Sequence, residues 1–122
     1  MRYTTVYMSR ATLLRILRRA ACAQTDRSVE ALQVMKLGLS RMLQHKTECG
    51  YRMSGDGVAV EAALSKEDSS ARCDVVCGDL VAAAIAFGDS KSKVALRLLH
   101  LGFRVEEERS QAAVGLERRL AA

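Results

Sequence analysis

Val94-Ala95-Leu96-Arg97-Leu98-Leu99, followed after His100-Leu101 by Gly102-Phe103-Arg104-Val105, is the stretch whose reading decides the fold. Its apolar residues fall into two blocks with a glycine between them, which predicts a small β-hairpin. Upstream the apolar spacing is helical. Residues 9–23 carry a stripe through Leu13, Leu14, Ile16 and Leu17, and residues 29–49 carry Leu32, Met35, Leu39, Met42 and Leu43. Gly50 is placed to end the second helix, and Ser54-Gly55-Asp56-Gly57 reads as a turn. Residues 58–64 fit a short strand or the opening of a helical turn, and Asp74 or Asp79 opens a third helix over residues 77–87. Helix, helix, helix, hairpin is the order of a winged-helix domain. The expected fold class is therefore α+β and helix-rich: a winged-helix-like domain of three helices plus a small β-hairpin, with an N-terminal amphipathic helix. Residues 1–28 form the basic helix, 29–116 the domain and 117–122 a tail.

Composition agrees with one helix-dominated unit. The chain has 122 residues, 49% of them hydrophobic, enough for one modest core and too few for two. Proline and tryptophan are absent, and Ala, Leu and Val fill most apolar positions, which favours helices packed through small side chains over a β-sandwich. No run of about 18 apolar residues occurs, so no membrane span is expected. Cys22, Cys49, Cys73 and Cys77 are unevenly spaced without a secretory signal before them, which points to a reducing compartment. Cys73 and Cys77, at i and i+4, would share a helix face, but His45 and His100 do not complete a zinc spacing. No metal is expected, and the two thiols read as small buried apolar groups.

The net charge of +5 is unevenly distributed. Residues 1–36 hold seven basic groups (Arg2, Arg10, Arg15, Arg18, Arg19, Arg27 and Lys36) against Asp26 and Glu30, whereas residues 37–122 hold twelve of each sign. All the excess lies in the first segment, and the remainder has no overall field to draw in a polyanion. Residues 1–24 combine five arginines, no acid and the hydroxyls of Thr4, Thr5, Ser9 and Thr12, the composition of a mitochondrial targeting helix. An amphipathic helix packed on the domain fits the same composition, as does a basic arm on RNA phosphates through Arg15, Arg18 and Arg19.

Leu39-Ser40-Arg41-Met42-Leu43-Gln44-His45-Lys46, Gly50-Tyr51-Arg52-Met53, Asp56-Gly57-Val58 and Leu64 resemble the opening signature of the KptA-type RNA 2′-phosphotransferases. In that family a helix reading L-S-x-x-L-R-H precedes a G-L-x-M/L turn and a D-G step. Asp89-Ser90-Lys91-Ser92-Lys93-Val94-Ala95-Leu96 is similar to its D-x-K-x-R-F-x-L element, and residues 103–110 fall where it has I-R-A-x-Q-G-H-S. The similarity runs over about residues 35 to 116. It implies a winged-helix lobe of an enzyme that moves ADP-ribose from NAD onto an RNA 2′-phosphate, with the family positions at Gln44, His45, Lys93 and Arg104. Gln44 replaces the family arginine and can hydrogen-bond a phosphate without neutralising it; Lys93 keeps a charge but loses the bidentate fork. Glu107-Glu108-Arg109 replaces Gln-Gly-His and sets two carboxylates where an anion would sit. The family's NAD-holding lobe would follow, and only residues 111–122 do, so the expectation is no catalytic residue, no cofactor and no turnover.

The expected function is a non-catalytic RNA-binding or ribonucleoprotein-docking module, part of a larger, mitochondrial RNA-processing or ribosomal assembly, with cytoplasm or nucleus as other compartments. The RNA or phosphate candidates are His45, Lys46, Arg52, Lys91, Lys93, Arg97 and Arg104, with Lys91 and Lys93 on one face of a strand. Exposed aromatic candidates beyond Tyr51, Phe87 and Phe103 are not expected, which weakens a stacking mode for single strands and favours phosphate contacts. Three alternatives stand beside this reading: protein docking without RNA through the hairpin and the Ala82-Ala83-Ala84 face, residual NAD-dependent transfer with another chain supplying the missing lobe, and a histone-like arrangement of residues 12–21 and 29–53.

Overall fold

The computed structural model describes residues 3–45, 48–84 and 90–121. Thr4–Met8 forms strand β1, in which Val6 and Met8 point into the core while Tyr7 faces outward. Ser9 then caps α1 (Arg10–Ala23), its hydroxyl accepting from the Thr12 N–H. Asp26 caps α2 (Arg27–Leu43) in the same way at Val29. After the short α3 (Glu48–Met53), Ser54 caps α4 (Gly55–Ser65). The chain returns as β2 (Ala71–Val75), which pairs antiparallel with β1 so that Val6 lies opposite Cys73 and Tyr7 opposite Arg72. Helices α5 (Gly78–Ala84) and α6 (Lys91–Ala121) complete the described fold.

A helix-rich chain with a small antiparallel sheet matches the coarse expectation, but the hairpin is replaced. Residues 94–105 lie inside α6, where Val94, Ala95, Leu96, Leu98, Leu99, Leu101, Phe103 and Val105 are all buried. A helix covered on every side needs no polar stripe, so its apolar run has lost the period that separates helix from strand. Gly102 is not a turn. A Cβ there would lie 2.0 Å from the Val34 carbonyl oxygen, and one at Gly38 would lie 2.0 Å from the Leu98 carbonyl oxygen. These two glycines let α2 and α6 cross antiparallel with their backbones touching, and the core is built around that crossing. Met35 and Met42 from α2, Ile16 from α1 and Tyr51 from α3 fill it fully buried.

Other expectations shift with this. Residues 58–64 are helical within α4. Helix α2 stops at Leu43, which is 57% exposed, and Gly50 lies in α3, so no continuous helix runs over residues 29–53. Cys73 sits on β2 and Cys77 just beyond it, not on one helix face. The third helix is seen as far as Ala84, and Phe87 lies outside the described residues. The basic first segment is woven into the core through Val6, Met8, Ile16 and Ala20. Among the described residues no helix is long and apolar enough to cross a membrane.

Candidate nucleic-acid interface

The arginines of α1 turn towards acids rather than outward as an arm. Arg15 donates to Glu107 at 2.8 Å while its guanidinium lies 4.0 Å over the Phe103 ring, and Arg19 pairs with Glu106 and, at 3.4 Å, with Glu30. The charge excess of the first segment is thus partly met inside the fold, and only Arg18 of that trio lacks an ion pair with these acids. Arg18 is exposed.

Arg104 is likewise committed. Its Nε donates to one oxygen of Asp56 at 3.1 Å, and Arg41 donates to the other at 2.9 Å while reaching Glu108 at 2.6 Å. Burial opposes ionisation of Asp56, but the two guanidiniums outweigh it and hold the carboxyl below its ordinary value. This clamp joins α2, α4 and α6. Lys93 and Arg104 stand on one helix eleven residues apart, about 16 Å along the axis, so they do not converge on a single phosphate. Gln44 ends α2, and His45 follows with its ring centroid 6.4 Å from that of buried Tyr51.

What does converge is a groove of about 680 Å³ between β1, α4 and the start of α6. Arg52, Lys93 and Arg97 line it with Tyr7 and the hydroxyls of Ser65, Ser69, Ser90 and Ser92. Ser90 accepts from the Lys93 N–H at 3.2 Å, so the positive end of the α6 dipole opens here, and Ser92 ties the start of α6 to the Tyr7 N–H at 3.4 Å. Lys91 is the first residue of α6 and is exposed. On a helix, residues two apart lie about 200° round the axis, so Lys91 and Lys93 do not share the face that a strand would have given them. His45 and Arg104 are not part of this lining, and Lys46 lies outside the described residues.

Two carboxylates also line the groove, and both are held by partners of the fold. Glu61 receives Arg97 at 2.6 and 3.3 Å. Glu67 accepts from the Ser9 N–H at 2.6 Å and the Thr12 hydroxyl at 2.7 Å, and lies 2.8 Å from His100 Nε2. Burial works against its charge, yet these hydrogen bonds and His100 prevail and keep it below the usual glutamate value.

Tyr7 is the residue that sequence reading missed. It is 49% exposed on the outer face of the sheet, with Arg72 opposite it on β2, also exposed. The alternation Thr5-Val6-Tyr7-Met8 was the available signal, masked by the arginine-rich helix that follows. Tyr51 and Phe103 are 0% and 3% exposed and cannot stack on a base. Cys73 and Cys77 are buried, which pushes both thiols up, and among the described residues no three His, Cys, Asp or Glu side chains gather to hold a metal. Comparison with protein-family models, characterised proteins and solved structures gave no match.

Proposed function

We propose that the chain is a non-catalytic module that binds single-stranded RNA in the groove at the start of α6. The observation that carries this reading is the meeting of exposed Tyr7 with Arg52 and Lys93 in one concave surface, where buried Arg97 holds Glu61 and His100 faces Glu67. Single strands are held without sequence readout by a cationic track for the backbone and an aromatic face for a base, and the groove offers both. Its serine hydroxyls suit phosphate and ribose 2′-OH groups, which favours RNA over DNA. The reading expects no turnover, and the separation of Lys93 and Arg104 along α6 and the position of Gln44 and His45 apart from the groove lining support that expectation.

Fluorescence anisotropy with a labelled single-stranded RNA of about ten nucleotides tests this, a length typical of one small binding surface. Binding should weaken with salt at a log–log slope of about −1.4, for about two phosphate contacts at 0.7 each. Tyr7→Ala should cost about tenfold or more in affinity. Lys93→Ala should make the salt slope shallower by about 0.7. Unchanged affinity in both variants, or equal affinity for a duplex, would sink the proposal.

A further inference from the structure

Strands β1 and β2 form a sheet of their own, so each has one edge with no described strand beside it. The two edges are not alike. On β1 the Tyr7 N–H turns away from β2 and donates to the Ser92 hydroxyl at 3.4 Å, so the start of α6 sits along that edge. Opposed residues in an antiparallel pair either exchange both backbone bonds or exchange none. With Tyr7 turned outward, the pairs Tyr7–Arg72 and Thr5–Asp74 exchange none, and the N–H and carbonyl groups of Arg72 and Asp74 point out from the far edge of β2. There they meet no donor or acceptor among the described residues. Backbone groups shut away from water are nearly always bonded, so this edge lies open to solvent. Nothing blunts it: the chain has no proline, and the register of β2 on β1 runs from Ala71 to Val75 without a bulge.

The side chains of that edge select the partner. Arg72 and Asp74 stand on the solvent face of the sheet, 64% and 43% exposed, while Cys73 and Val75 point into the core. A second copy of β2, laid antiparallel with the two-fold axis at Cys73, sets Arg72 of each copy opposite Asp74 of the other. These are the residues whose backbone groups point outward, so hydrogen bonding and charge agree on one register. An axis at Arg72 or at Asp74 sets like charges opposite each other, and an axis between residues opposes groups that point out with groups that point in. On the core side, Cys73 meets its counterpart at the close, non-bonded position of about 4.5 Å between Cα atoms, where a small side chain fits, and Val75 falls opposite Ala71. We infer that the β2 edge is a self-association surface, on which two copies of this chain join antiparallel about Cys73 into one continuous sheet in the order β1-β2-β2-β1. The join is isologous and closes at two, because the outer edges of the joined sheet are the β1 edges that the start of α6 already occupies. Arg72 reaches Asp74 of its own strand only at 3.4 Å, a long contact that leaves the guanidinium donors to spare for a facing carboxylate.

A seam this short makes a reversible dimer, forming over about 1 to 200 µM. Sedimentation velocity of the full chain over that range reads it directly, and the expected result is a concentration-dependent dimer. Arg72→Asp sets Asp against Asp at both ends of the seam, and Asp74→Arg sets Arg against Arg. Each variant alone should dimerise about tenfold more weakly than wild type. An equimolar mixture of the two should regain the dimer, because every pair across the seam is then again opposite in sign. Arg72→Pro removes an N–H that β1 does not use and the seam does, so it should keep the fold and lose the dimer. Circular dichroism reports the fold of each variant. A wild-type chain that stays monomeric at the highest concentration would overturn the inference and leave the edge to an extended segment of a different protein. A dimer that Arg72→Pro leaves intact, or a mixture of the charge variants that remains monomeric while both are folded, would overturn it as well.

Discussion

Gly38 and Gly102 show how much one residue can decide. Each stands where a methyl group would collide with a carbonyl oxygen of the facing helix, and backbone cannot swing aside as a side chain tip can. Gly38→Ala and Gly102→Ala should therefore each destabilise the fold by about 2–3 kcal/mol, the scale of overpacking in a dense core. Urea denaturation measures this, with dilute Gly115→Ala as the control: its Cβ meets nothing within 4 Å, so it should gain up to about 1 kcal/mol from helix propensity. Equal effects at all three positions would refute the close-approach argument. Gly102 was legible in the sequence only as an interruption in an apolar run, which reads as a turn. Its true reason, the Val34 carbonyl, belongs to a helix more than sixty residues earlier, and no local pattern reveals such a neighbour.

Elements bounded by their own chemistry were readable. The start of α1 was visible because Ser9 is a capping residue standing before a helical stripe, and in α2 Met35, Leu39 and Met42 do face the core. Elements defined by distant partners were not. Strand β1 depends on β2, which lies on the far side of four helices, and the buried half of α6 depends on α2, so their periodicity alone could not name them. The site followed the same rule: Lys93, Arg97 and Arg52 could be named as cations, but that they meet Tyr7 depends on the β1 placement. One boundary offers a test. Gln24 closes α1 in the left-handed region at φ 56°, where a β-carbon is unfavourable, while its N–H bonds back to Ala20 and Ala21. Gln24→Gly should raise stability by about 0.5–1 kcal/mol in thermal or urea melts, and a loss of stability would show that the Gln24 side chain contributes more than the backbone relief.

At the scale of the whole molecule, helices are joined by ion pairs that bridge distant parts of the chain, and this ties stability to pH. Glu67 links the start of α1 to the middle of α6, and Asp56 is gripped between α2 and α6. Burial of both carboxyls opposes their charge, but their hydrogen bonds and cationic neighbours prevail, so each titrates below its ordinary value in the folded chain. In acid the unfolded chain therefore binds the proton first. The stability these groups contribute is complete above about pH 5 and is lost as the pH falls through their lowered values. Urea midpoints from about pH 7 down to about pH 2 should decline steeply for wild type. Glu67→Gln should be less stable than wild type at pH 7, because the amide keeps the shape but not the charge facing His100, and its curve should be flatter and approach wild type at the acid end. Asp56→Asn should behave alike, since Arg41 and Arg104 would be left sharing a neutral group. If the Glu67→Gln curve ran parallel to wild type over the whole range, the Glu67 charge would not be what ties α1 to α6, and the bridge would rest on its hydrogen bonds alone.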